Sequence, residues 1–366
     1  MTFRDDAILT FGAGVPGPIE ANFDSPAQTI VPYGVVVGAT SAGVTLNIRN
    51  GHHLLGKGNW NAIGSSYNSA NRATVNVYHG AFVQQSAAQY TDCPYGITVG
   101  ENKGKATAGA VGVLNVYADG VVSNLTSGTV KGQGVYLRVG SGPYGDGTIN
   151  QYGGEVYHNS NLGCLIGAWG GTGRWNVCSG GVATVLCDVY VGGAETNNLV
   201  AFGPGTRPDN GFGNGGPKFA AAYPVDALST GTLNVEDGTF TTTSNLVVSA
   251  LGTGTVRMGP KASRIEAKDV TLNGGSTVVF RFAPESTGTI AASGKLTVAE
   301  GTKLVLDFTD YVRGKRASFP LFTFAEREGD FTDVEIVGEE PMDGRLKKEG
   351  NRYRYVVPHG YTLMLR

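Results

Sequence analysis

The chain has 366 residues, 57 of them glycine, and a formal net charge of −2. That balance excludes the basic face nucleic acid requires. Apolar residues at 41% with only 16% charged exclude a disordered chain. No run of about 18 apolar residues occurs, so no membrane span is encoded.

Residues 1–34 hold short apolar runs, Ala7 to Phe11 and Thr29 to Val31, among Gly and Pro. They read as a lead-in segment or cap over an end that would otherwise expose core and unpaired strand edges. The start, MTFRDDAILTFGAG, has no basic stretch followed by an apolar core, so it is not a signal peptide. Export then implies a signal absent from this chain, or a longer parent protein.

From Val35 a unit repeats. Its first part is TLNIRNG at Thr45, TVNVYHG at Thr74, VLNVYADG at Val113, TINQYGG at Thr148, RWNVCSGG at Arg174 and GTLNVEDG at Gly231. A worn copy, TVRMGPKAS, starts at Thr255. In TLNI, Leu46 and Ile48 are two apart and share one face, with Thr45 and Asn47 on the other. Period two with one apolar face is a half-buried strand. Gln151 breaks the inward pattern and implies a locally wet rung.

The second part is a short apolar strand ending in glycine: VVVG at Val35, NAIG at Asn61, ITVG at Ile97, LRVG at Leu137, CLIG at Cys164 and VYVG at Val189, with LVVS at Leu246 as a variant. Glycine there permits positive φ at a corner. The shortest interval between copies, Asn150 to Asn176, is 26 residues. That suits one coil of two or three short strands, each stacked on the next at about 4.8 Å. Longer intervals are loops extruded from the coil. The largest, at about 198–228, is rich in Gly and Pro and reads as a lateral loop. Apolar residues do not recur at helical spacing, and propeller repeats are longer. A parallel β-helix, a solenoid, over 35–286 explains the repeat best.

Past about Ser286 charge and aromatics rise and glycine falls. Residues 287–366 read as an antiparallel β module capping the helix, with a hairpin through Glu349-Gly350-Asn351.

The stretches GTLNVEDGTF, SALGTGTV, VTLNGGSTVVF and KLTVAEGTKLVLDF resemble autotransporter-associated β-strand repeats of bacterial surface proteins. The ending LFTFAEREGDFTDVEIVG…GYTLMLR is similar to the tail that follows such repeats. The resemblance covers about residues 43–366. It implies a right-handed parallel β-helix, extracellular or at the bacterial cell surface, with adhesive or scaffolding roles. It supplies no catalytic residues. The ~10-residue alternating strands of a membrane β-barrel are absent as a set, so self-translocation is not implied.

Of the four cysteines, Cys93, Cys164, Cys178 and Cys187, three fall within 24 positions. None forms a CxxC pair, which argues against zinc. They read as small buried hydrophobes, with one disulfide between neighbouring rungs as the alternative. The adjacent His52 and His53 would point to opposite strand faces and make a poor metal site. GGAETNNL and SGPYGDGT lack a repeated Asp pattern for calcium, so no metal or cofactor is expected. A glycosidase needs two carboxylates at roughly 5–10 Å. Asp119, Asp146 and Asp237 sit in DG turns, and Glu155 with Asp188 is the remaining pair for stacked rungs. No enzyme is expected.

The outward stripe is the candidate site. Stacking aligns Asn76, Asn115 and Asn150 with the other asparagines of the repeat, and beside them Tyr78, Tyr117 and Tyr152. This is either a stabilising ladder or a glycan-binding face. Phe202, Phe212 and Phe219 in the lateral loop are the candidate self-contact patch. The expected function is a structural or adhesive solenoid that self-associates as a spacer, filament or surface-layer subunit. A carbohydrate-binding module is the alternative, followed by a polysaccharide lyase or hydrolase.

Overall fold

In a computed structural model the chain is described over residues 8–12, 18–23, 29–30, 34–38, 42–56, 61–64, 71–86, 96–102, 109–126, 136–142, 144–160, 163–193, 229–261, 263–312, 317–341 and 344–357. The described residues form strands and no helix. Nearly all the strand pairs are parallel, and each strand pairs with its counterpart one repeat away.

The pairings form three ladders. The first carries the Asn-containing strands. It runs from Ile19–Phe23 and Ala42–Ile48 through the leading halves of Asn71–Ser86, Ala110–Thr126 and Gly145–Asn159. It continues through Thr172–Cys178, Thr230–Val235, Thr253–Met258, Thr277–Arg281 and Lys303–Asp307 to Asp333–Val337. The second follows a bend in the same chain pass. It takes the trailing halves of the three long strands and then Val182–Val185, Thr239–Thr242, Arg264–Ala267 and Thr289–Ala292. The third is an 11-stranded parallel sheet, from Ile8–Phe11 to Glu326–Gly329, that contains the glycine-ended strands. The chain visits third, first and second ladder in turn. This is compatible with a coil.

The inward pattern is as the alternation requires. Leu46, Val75, Leu114, Ile149, Trp175 and Leu233 follow one another in register, and all are 0% exposed. They form one column of a single apolar interior that also takes Val139 and Ile166 from the third ladder and Phe82 and Phe240 from the second. Burial of such side chains contributes about 1.5–3 kcal/mol each.

The third-ladder corners show why glycine recurs. Gly38, Gly64, Gly100, Gly140, Gly167 and Gly192 all have positive φ. At Gly140 a Cβ would lie 1.7 Å from the carbonyl oxygen of Thr172 in the adjoining first-ladder strand. The backbones meet too closely for any side chain. Ser249, the variant, also holds φ 56, and its hydroxyl accepts the Gly254 N–H at 2.7 Å.

Two boundaries differ from expectation. The described parts of 1–34 are already strands: Ile8–Phe11 pairs with Gly34–Val37, Ile19–Phe23 with Ala42–Ile48, and Thr29–Ile30 with His52–Gly56. The stack therefore begins before Val35. At the other end, parallel pairing continues through Lys295–Val298 and Lys303–Asp307 to Asp333–Val337. Among the described residues, antiparallel pairing is confined to Ala317–Thr323 with Arg352–Val357, and to the hairpin Arg345–Glu349 with Arg352–Val357. Alternation alone does not distinguish the two modes. The added charges are cross-rung pairs, Lys295 with Glu328 and Lys303 with Glu335, on the outer face of continuing ladders. The lateral loop at about 198–228 lies outside the described residues.

Candidate functional site

The first-ladder strands present two columns on their outer side. In the asparagine column each Nδ2 donates to the Oδ1 of the preceding asparagine: Asn47 to Asn22 at 2.7 Å, Asn76 to Asn47 at 2.7 Å, Asn115 to Asn76 at 2.8 Å, Asn150 to Asn115 at 2.9 Å and Asn176 to Asn150 at 2.7 Å. Asn234 to Asn176 is longer, at 3.5 Å. The column then passes to Arg257. Asn47 is 3% and Asn76 8% exposed, so this end of the stripe is buried, while Asn115 and Asn150 are half-buried. Asn22 was not legible as a member, because IEANF lacks the surrounding repeat.

Two residues along each strand lies the tyrosine column. Tyr78 and Tyr117 stack at 4.4 Å between centroids and 10° between planes, while Tyr117 and Tyr152 are tilted, at 5.4 Å and 30°. The guanidinium of Arg49 sits 4.7 Å from the Tyr78 centroid, a cation–π contact closing that end. Burial, then the neighbouring Tyr78, holds the Tyr117 phenol above its ordinary value. The ring faces within the column are thus occupied by one another. Only Tyr152, 43% exposed, has a face covered by no ring or cation among the described residues.

No protein-family model matches the chain, and no curated protein matches it. The geometry therefore carries the functional reading.

The column beyond Tyr152 continues in register to Cys178. On the next rung the pairing runs to Val177 with Val235, and the following residue, Glu236, donates its N–H to the Val177 carbonyl at 2.9 Å, beside Cys178. Glu236 is held by Arg281 at 2.8 Å, which reaches across the side-chain-free Gly259. Asp237 accepts the Ser179 N–H and pairs with Lys261 at 3.3 Å. Burial, then Glu236 and Asp237, raises the Cys178 thiol above its usual range, as expected if all three face one space.

The remaining candidates are dispersed. Glu155 opposes Val182 in the second ladder, whereas Asp188 lies six residues farther on. Asp188 is a corner cap that accepts from Ser244 Oγ and, at 3.1 Å, from the Asn245 N–H. These carboxylates are not brought together. Asp119 and Asp146 lie not in turns but within the strands Ala110–Thr126 and Gly145–Asn159, because their DG dipeptides sit where the long strands bend or begin. Asp146 pairs with Arg174 at 2.6 Å, and Asp119 lies 4.0 Å from His79, both groups exposed. The His52 and His53 side chains, Cys93, Phe202, Phe212 and Phe219 lie outside the described residues. Cys164, Cys178 and Cys187 are free thiols, and burial raises Cys164 and Cys187 well above the ordinary thiol range. Such thiols are poor nucleophiles.

Among the buried polar groups, the surroundings of Gln151 and Arg138 were not foreseen from the sequence. Gln151 is not on a wet rung. It is 0% exposed in the core, where its Oε1 accepts the Trp175 indole N–H at 2.7 Å and its Nε2 donates to the Val182 carbonyl at 3.1 Å. Arg138 pairs with Glu101 at 2.6 Å, both 6% exposed, with its guanidinium 5.1 Å from the Tyr136 ring and 4.9 Å from the Trp169 ring. The outer side of the third ladder carries its own apolar cluster, Tyr136, Leu165, Ala168, Tyr190 and Val247. Runs buried on both faces, such as Tyr136–Ser141, do not alternate, which is why LRVG read only as a short apolar strand.

Proposed function

We propose that this chain is a right-handed parallel β-helix acting as a structural or adhesive spacer at a bacterial cell surface. The observation that carries the reading is the asparagine ladder from Asn22 to Asn176, with the Tyr78–Tyr117 stack beside it, on the outer side of the first ladder. Side chains that bond chiefly to their own copies on the next rung stiffen a stack and leave little for a substrate. Right-handedness is the usual sense of parallel crossovers. The extracellular setting rests on the resemblance to autotransporter-associated repeats, and self-association is part of the same proposal.

Dispersal of the carboxylates into separate strands, a corner cap and ion pairs favours this reading over a polysaccharide-cleaving enzyme. Stacking of Tyr78 against Tyr117 disfavours a glycan platform along the whole stripe, because sugars would need those faces.

Electron microscopy of the purified protein tests the proposal. An 11-stranded ladder at about 4.8 Å per rung gives a rod about 50 Å long. The expected images show such rods, joined into filaments or sheets at high concentration. Compact isotropic particles, or persistent monomers under all conditions, would contradict it.

A further inference from the structure

The tyrosine column has a gap. Rungs repeat every ~4.8 Å, so Tyr152 and Glu236, two rungs apart, are separated by about 10 Å along the stack. Among the described residues only Cys178 stands between them on the column, and its side chain is too small to cover the free face of Tyr152. Arg49 fills the corresponding position at the other end of the column, over Tyr78. Among the described residues the turn beside the gap leaves space on the outer side. The adjoining turn residues Ser179 and Gly180 have φ 53 and 75, and nothing lies within 4 Å of a Cβ placed on Gly180. About 7 Å along the strands from the gap run Asn150 and Asn176. The ladder uses one N–H of each, to Asn115 and Asn150 respectively, and leaves each amide a second.

We propose that this gap binds a single neutral pyranose ring. The C–H face of the sugar would lie on Tyr152, its hydroxyls accepting from the Asn150 and Asn176 amides and donating to the Glu236 carboxylate. Three chemistries converge that suit a polyol with one apolar face: an aromatic ring, amide donors and a carboxylate acceptor. A cation is the poorer fit. Glu236 is already matched by Arg281, and Asp237 by Lys261. A sugar acid would meet both carboxylates. The proposal uses the rung register alone and does not depend on the spacer role.

Saturation-transfer NMR on the intact protein tests it. The probes are methyl pyranosides of gluco, galacto, manno and N-acetylgluco configuration, with benzamidinium as the cationic comparison. At least one neutral pyranoside should receive saturation, strongest on the ring protons of one face. Tyr152→Ala, which removes the aromatic floor, and Cys178→Phe, which fills the gap, should each weaken binding at least about tenfold, the scale of one aromatic contact. Cys178→Ser should retain it. Thermal unfolding by circular dichroism checks that each variant is folded. No transfer to any neutral pyranoside in the wild-type protein, transfer unchanged in a folded Cys178→Phe protein, or preference for benzamidinium would overturn the proposal. Rods in micrographs without sugar binding would remove this site and leave the spacer reading standing.

Discussion

Asn115 gives one amide proton to Asn76 and takes one from Asn150. Each such bond contributes about 0.5–1.5 kcal/mol net. The informative substitution is Asn115→Asp, which keeps the shape and the acceptor but sets a carboxylate oxygen against the Asn76 Oδ1. Urea unfolding at pH 7 should show a loss of about 1–3 kcal/mol. Facing that carbonyl raises the new group's folded-state pKa above its unfolded value. The stability is therefore present below the unfolded pKa, where the acid form donates, and is lost as pH rises through the folded one. Equal stability of wild type and variant at pH 7 would mean the ladder is not formed. The column itself was legible because one letter recurs at one place in each repeat. The partners of Gln151 were not, because Trp175 becomes its neighbour only when the coils stack.

At the scale of elements, the C-terminal hairpin closes the second ladder. It is held by an aromatic cluster in which Tyr353 meets Phe322, Phe324 and Phe331, and Tyr355 meets Phe282 and Phe308. The Tyr353 hydroxyl donates to Asp330 and accepts from Arg327, while Arg327 and Asp330 also pair at 2.7 Å. Burial, then the bond to Asp330, pushes the Tyr353 phenol up to about 12 from 10.0. Its contribution is fully present below pH 10 and is lost as pH rises through about 12, since the unfolded chain gives up this proton first. Tyr353→Phe should cost about 1–2 kcal/mol at neutral pH and should reduce the alkaline fall in melting temperature. An identical alkaline profile in the variant would contradict this account of the cap. The hairpin turn was legible from Glu349-Gly350-Asn351, and Gly350 has φ 55. The parallel course up to Val337 was not, because a half-buried strand alternates whichever way its neighbour runs. The second ladder was missed for a related reason. In Asn71–Ser86, Ala110–Thr126 and Gly145–Asn159 it follows the first without a break.

For the whole molecule, the parallel ladders repeat similar contacts from strand to strand, and the proposed β-helix would draw its stiffness from their register more than from any one residue. The all-β, parallel-strand character was legible because a repeat writes the same physical constraint many times: an apolar pair, an outward amide, a corner glycine. A binding site writes its constraint once. The gap over Cys178 exists only in the stack, where Tyr152 and Glu236 lie two rungs apart. The ends differ as well. The C-terminal rung exposes Val334 and Ile336, each 39% exposed, flanked by Asp333 and Glu335, charges of the kind that discourage edge pairing.

Register is the claim beneath all of this, and engineered cross-linking measures it directly. Thr232 and Thr255 are partners on adjacent rungs, and Thr277 follows Thr255 on the next. At about 4.8 Å per rung, adjacent positions fall within the Cα separation a disulfide tolerates, and positions two rungs apart, at about 10 Å, do not. Oxidation of the double variant Thr232→Cys with Thr255→Cys should give the intramolecular disulfide, identified by mass spectrometry of linked peptides. Thr232→Cys with Thr277→Cys should not. Efficient linkage of the second pair, or none in the first, would contradict the stacked register.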